Sequence, residues 1–357
     1  MIAYRDIGDP GRRTSFDRLK SLGFFAIALA YYLLAERVAG MAASGLSSGD
    51  WTELVYRTAL LFLLLLGYGV MGYVFQQQAH PLTAMGLVSR PTAGREFALG
   101  AALGWGMMIA CVVPIALAGG LRLTFWTGIH QFALLLLDLI VLAIAALLEE
   151  VAFRGYAFQR LIEAIGPTLA TLMIAVLFGL RHLENPDATP ASTLMTVFAG
   201  WLLAIAYLRT RALWLSWGLH FAWNAAMGVL FGLPISGIRT FSPVIEANTR
   251  GPSWVTGGAY GPEGSLVAAV VLLTGILVMF KVTRGYAWEY AQPVIVPGGF
   301  PVDIDAAAQR QHEAAMASPA APAPPQFVQT IAPVGAAPQV VPVLPVHSDV
   351  SANEDHH

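Results

Sequence analysis

The chain has 357 residues, of which 56% are apolar and only 12% charged, with a formal net charge of −2 and a mean hydropathy of +0.62. Soluble domains carry about a quarter of their residues charged, so the composition excludes a water-soluble fold and predicts a protein whose partners are lipid and apolar substrate. No strongly basic stretch offers a footprint for nucleic acid, and the single cysteine, Cys111, excludes an intramolecular disulfide.

In chain order, a basic leader over residues 1–20, with Arg5, Arg12, Arg13, Arg18 and Lys20, precedes an apolar stretch at 21–38. That stretch is too long for the apolar segment of a cleaved signal and is expected to be an uncleaved first span. Runs near the ~20 apolar residues that cross a bilayer follow at roughly 21–40, 54–75, 97–118, 131–151, 168–182, 191–208, 212–233 and 264–281. They predict an all-α, multi-pass membrane helical bundle of about eight transmembrane helices over residues 21–290. Most of the Lys and Arg flanking these runs fall on the side of the N-terminus, including Arg18, Lys20, Arg90, Arg95, Arg160 and Arg209. Fewer, such as Arg37, Arg122 and Arg181, fall on the other. Positive charge marks the cytoplasmic face, so both termini are expected there. Residues 291–357 hold half of the 22 prolines, in sequences such as Ala-Pro-Ala-Pro-Pro at 321–325, and are expected to be a disordered cytoplasmic tail.

Charges within spans cost about 2.5–3.5 kcal/mol each at a helix centre, which makes them candidates for function. Three places stand out. In Leu147-Leu148-Glu149-Glu150-Val151-Ala152-Phe153-Arg154-Gly155, two acids close an apolar run. Glu150 and Arg154 are i,i+4 and pair on one helix face, whereas Glu149 points about 100° away and is left without that partner. Phe178-Gly179-Leu180-Arg181-His182 ends the fifth run on a histidine. Trp217-Gly218-Leu219-His220-Phe221-Ala222-Trp223-Asn224 sets His220 and Asn224 on one face of the seventh. Each place also has a structural reading: acids at a helix end in water, an interfacial histidine, and a His/Asn packing contact. Asp138, three turns before Glu149, is expected to pair with a neighbouring helix.

Spacing ties the first two places together. The midpoint of 149 and 182 falls on Ile165-Gly166-Pro167, a natural break between helices. An antiparallel hairpin about that turn sets Glu149 level with His182, each about 24 Å from the turn, so the hairpin is expected to project from the membrane. His220 lies about 13 Å below the cytoplasmic surface, counted from Arg211. A projection of about 11 Å then gives all three groups one depth.

A carboxylate, two imidazoles and a side-chain amide in a dry pocket supply a base for water, proton transfer and oxyanion donors. The same ligand types also suit zinc, with water as the fourth ligand, and the residues leave the two open. There is no His-Glu-x-x-His, and neither Ser192 nor Ser216 sits in a Gly-x-Ser-x-Gly elbow. Two other classes fit the polar groups. A proton-coupled transporter would use them as a relay, although no pair of Gly/Pro-broken spans recurs in two halves. A non-enzymatic scaffold would use them for packing.

Glu-Glu-x-x-x-Arg-Gly, Phe-x-x-x-His and His-x-x-x-Asn, in that order and each near a membrane helix, resemble the CPBP family of CAAX prenyl proteases and bacteriocin-processing enzymes, also called the Abi family. The resemblance covers roughly residues 80–233 and includes Met85-Gly86-Leu87. It implies an intramembrane endopeptidase in which Glu149 and His182 activate water, His220 and Asn224 stabilise the oxyanion, and Glu150 and Arg154 hold the site in shape. It further implies a peptide or protein substrate, apolar or prenylated near its C-terminus. A divalent metal such as zinc on Glu149, His182 and His220, or a metal-free glutamate mechanism, both remain open.

Overall fold

The computed structural model describes residues 14–125, 128–239 and 245–285. Most of the basic leader and the whole of the tail at 291–357 lie outside the described residues. The described chain runs through α1 (Ser15–Leu46), α2 (Trp51–Gln76), α3 (Pro81–Ala84), α4 (Ala93–Leu117), β1 (Leu121–Phe125), α5 (Ile129–Arg154), α6 (Tyr156–Ile165), α7 (Pro167–Arg181), α8 (Pro190–Thr210), α9 (Trp214–Ala225), β2 (Ile245–Thr249), α10 (Ser253–Thr256) and α11 (Leu266–Val282). It is an all-α helical bundle, and every apolar run of the sequence lies on a helix. Five stretches are long and apolar enough to cross a membrane: α1, α2, α4, α8 and the segment Gln131–Ile165. The runs at 168–182, 212–233 and 264–281 form shorter helices of 15, 12 and 17 residues. α9 is extended by a five-residue π-turn, Ala226–Leu230.

A small antiparallel sheet was not anticipated by the apolar pattern. β1 pairs with β2, Leu121 opposite Thr249 and Phe125 opposite Ile245, and ties the long loop after α9 to the segment between α4 and α5.

Hydrogen bonds fix which helix ends lie together. Ser21 donates to Glu163 (3.2 Å), Arg90 to the Thr210 carbonyl (2.9 Å) and Arg209 to Thr283 (2.9 Å), so the starts of α1 and α4 and the ends of α6, α8 and α11 share one end of the bundle, the terminal end. At the loop end, Arg181 pairs with Glu36 (2.7 Å), which brings the end of α7 against α1.

The expected hairpin about residues 165–167 is present but bent. α5 stops at Arg154 and α6 begins at Tyr156, because Gly155 approaches its own preceding turn: a Cβ there would lie 2.4 Å from the Val151 carbonyl oxygen. α6 packs against its neighbours along most of its length. Tyr156, Phe158, Arg160, Leu161 and Ile162 are buried, and Arg160 is matched by Glu163 at 2.7 Å.

α4 and α9 pack backbone to backbone. A Cβ at Gly100 would meet the Leu215 carbonyl at 2.1 Å, one at Gly104 the Leu219 carbonyl at 2.2 Å, and one at Gly218 the Phe97 carbonyl at 2.1 Å. Small residues permit such close approach between membrane helices, where packing replaces the hydrophobic effect as the attraction. The start of α9 is pinned by the Met85-Gly86-Leu87 stretch, whose Gly86 carbonyl accepts from the Leu213 N–H at 2.9 Å. Gly104→Ala is therefore expected to push α4 off α9 at a cost of about 1–3 kcal/mol. The melting temperature in detergent should fall, while Gly106→Ala, which meets nothing within 4 Å, should leave it unchanged.

Candidate active site

The site is built on the last two turns of α5, the end of α7 and the middle of α9. Glu150 and Arg154 are fully buried and pair at 3.2 Å, as their i,i+4 spacing predicts. Arg154 also donates to the Gly200 carbonyl (3.0 Å) and lies 4.5 Å from the centre of the Phe178 ring. Glu150 Oε1 in turn accepts from His220 Nδ1 at 2.9 Å. A carboxylate only accepts, so this bond places a proton on Nδ1 and leaves Nε2 of the neutral ring as a lone pair.

His182 reaches the same state by another route. It follows the last turn of α7, where carbonyls lack helical partners, and its Nδ1 donates to the Phe178 carbonyl at 2.7 Å. Its Nε2 is thereby also left for the cavity. The two imidazoles flank Glu149, whose Oε2 lies 3.7 Å from His220 Nε2 and 4.0 Å from His182 Nε2. Those gaps exceed hydrogen-bond length, and Oε2 is buried without a hydrogen-bond partner. A water about 2.8 Å from each atom bridges such gaps. Asn224, one turn beyond His220 and half-buried, lines the same cavity.

That cavity, of about 100 Å³, has apolar walls from Val141, Leu142, Phe178, Leu202 and Leu219. Its other polar lining comes from the loop end: Glu53 and Arg57 at the start of α2, Asn185, Ser236 and Glu263. The structure thus brings Glu149, His182, His220 and Asn224 together, with Glu150 and Arg154 behind them. The depth count from Arg211 set these groups toward the terminal end, whereas the cavity is completed from the loop end. Asp138 is half-buried and does not line it. Trp214 and Trp217 donate to the Val88 and Ala143 carbonyls (2.8 and 2.9 Å), as packing residues do.

Residues 131–226 match the family model described as Type II CAAX prenyl endopeptidase Rce1-like. Over that segment the chain is similar to CAAX-type prenyl endopeptidases. The match runs from the first turn of α5 to just past the end of α9 and contains all six motif residues, which supports the family resemblance read from the motifs. Comparison with curated proteins and with solved structures gives no match.

The matched segment offers zinc-type donors in Glu149 Oε2 and the two Nε2 atoms, but their spacing does not suit the ion. Bonds of about 2.0–2.1 Å in a tetrahedron put ligand atoms roughly 3.3 Å apart, closer than the separations found, and among the described residues no group of three or more His, Cys, Asp or Glu converges as metal ligands.

Glu263 and Ser236 lie beyond the matched segment and carry no recognisable spacing in the sequence; only the fold of the loop after α9 exposes them as part of the cavity. Glu263 accepts from the Ser236 N–H and hydroxyl and from Trp223 Nε1 at 3.2 Å, clasping α9 to that loop. Burial pushes the Glu263 carboxyl above its ordinary value of 4.5, opposed by the Ser236 and Trp223 bonds and the nearby His182. A raised folded-state value means stability that is complete below the ordinary value and lost as pH rises through the raised one. The melting temperature should therefore decline with pH above about 4.5 more steeply in the native chain than in Glu263→Gln, as thermal melts across pH will read. Removing one partner of the deeper pair is more severe: Glu150→Ala leaves Arg154 buried without a counter-ion, an expected loss of about 3–5 kcal/mol in denaturant titration. Joint replacement, Glu150→Leu with Arg154→Met, should recover most of it.

Proposed function

We propose that the chain is an intramembrane endopeptidase in which Glu149 and His182 activate water for attack on a peptide bond, while His220 and Asn224 stabilise the tetrahedral oxyanion. The supporting observation is the placement of one buried, bond-free carboxylate oxygen, Glu149 Oε2, between two imidazole Nε2 atoms whose other nitrogens are committed elsewhere. A water held there gives one proton to Glu149, with the His182 lone pair as second acceptor, as its oxygen adds to the carbonyl carbon. The amide C–N bond then breaks, and the proton passes to the leaving nitrogen.

With Nδ1 bound to Glu150, a protonated Nε2 makes His220 a cation, and that form, together with the Asn224 amide, supplies oxyanion donors. Arg154 and Glu150 act through His220 by fixing its ring. The apolar cavity walls and the CAAX-type match favour an apolar, prenylated C-terminal substrate. Both termini are proposed to be cytoplasmic on the Lys/Arg asymmetry, with the leader at 1–20 and the tail at 291–357 flanking the bundle.

Purified protein should cleave an S-farnesyl-cysteine peptide, and Glu149→Gln, His182→Ala and His220→Ala should each lower kcat by at least 100-fold, with Asn224→Ala lowering it about 10–100-fold. Full activity in all of the first three variants would sink the assignment.

A further inference from the structure

Beyond the matched segment, a small hairpin covers the loop end of the cavity. Ile235 and Ile238 exchange backbone hydrogen bonds (3.0 and 2.9 Å), and the two residues between them, Ser236 and Gly237, have φ of 47° and 84°, as a two-residue hairpin turn requires. A serine in that left-handed region persists only where its surroundings over-determine it, and here both amides of the tip are held. The Ser236 N–H and hydroxyl donate to Glu263 Oε1, and the Gly237 N–H donates to the Tyr260 carbonyl (2.8 Å). Ile235, Ser236 and Ile238 line the cavity.

The hairpin meets both sides of the site that carry an imidazole. On one side its tip abuts the turn that follows His182: a Cβ at Gly237 would lie 1.9 Å from the Pro186 carbonyl oxygen. On the other side Glu263 ties the hairpin to α9, because its second oxygen accepts from Trp223 Nε1 (3.2 Å), and Trp223 stands three residues after His220 and next to Asn224. His182 lies past the end of α7, in a short turn closed by the Asn185 N–H on the His182 carbonyl (3.2 Å). The helix therefore anchors that turn from one side, and the hairpin is the strut on the other.

We propose that Glu263 is a positioning residue: by holding the Ile235–Ile238 hairpin between the turn after His182 and α9, it sets the separation of His182 from His220 and Asn224 across the water site. This rests on the peptidase reading above. A displacement of about 1 Å in groups that must converge costs roughly 100-fold in rate. The apolar walls at Val141, Leu142 and Leu202 belong to α5 and α8, so loss of the strut falls on kcat and leaves KM within about twofold.

The test uses the full chain in detergent with an S-farnesyl-cysteine peptide and perturbs the strut at both ends. Glu263→Ala removes the clasp, and Gly237→Ala forces the tip off Pro186 without touching Glu263. Each should lower kcat about 10–100-fold with little change in KM, and the two together should cost little more than either alone. Ser236→Ala keeps the N–H bond to Glu263 and is the mild member of the set, with a smaller loss of kcat. Thr249→Val, which removes a hydroxyl bond to the Gly258 carbonyl (3.3 Å) elsewhere in the same loop, should leave kcat unchanged. Hydrogen exchange read by mass spectrometry needs no turnover: in the three strut variants exchange should quicken at residues 182–188 as well as at 235–238. Faster exchange confined to 235–238 overturns the proposal, as does a native kcat in Gly237→Ala. The charge of Glu263 also interacts with His182, so a kcat loss in Glu263→Gln that comes with a shifted pH profile, while Gly237→Ala stays native, assigns Glu263 an electrostatic role and overturns the strut. If the native chain does not cut the peptide, the peptidase reading fails, while the exchange comparison still decides whether Glu263 braces the His182 turn.

Discussion

Arg154 lies fully buried in an apolar bundle, held by Glu150, the Gly200 carbonyl and the face of Phe178. A charge so placed is tolerable only when it is paired and hydrogen-bonded, and the way this one is satisfied organises its surroundings. Glu150 is drawn inward by the arginine and its Oε1 is then the acceptor that orients His220. Phe178 stacks against both Arg154 and His182, and its carbonyl orients the second imidazole. Four helices, α5, α7, α8 and α9, are thus registered against one another by a single ion pair and the groups that complete it. Glu149, turned away on the same helix, is left with its Oε2 buried, without a donor, and between the two imidazole Nε2 atoms.

The backbone supports this arrangement by close approach. Gly100, Gly104 and Gly218 let α4 and α9 meet without intervening side chains, which carries His220 and Asn224 into the bundle on a helix only 12 residues long. Gly155 allows α5 to end just past Arg154, so that α6 turns and packs into the core. The cavity is then closed by parts distant in sequence: the start of α2, the turn after α7, and the loop after α9, whose clasp through Glu263 reaches Trp223.

The sequence by itself determined the membrane class, because apolar runs of bilayer length leave no other solvent for the helices. It also determined the local pairs. Glu150 with Arg154, and His220 beside Asn224, follow from four-residue spacing on a helix, and the Gly166-Pro167 break announced the turn that carries His182 back toward Glu149. These are short-range consequences of helix geometry, and motif order added the family resemblance. Tertiary structure alone decided the rest. The bend at Gly155, the burial of α6, the bond from His220 to Glu150 and the recruitment of Arg57, Ser236 and Glu263 to the cavity all join residues on different elements. Nothing in a one-dimensional pattern marks Arg57 as different from any other arginine at a helix start. Its place opposite Glu149 exists only once α2 is packed against α5, because the partners of a buried charge are chosen by which helices meet.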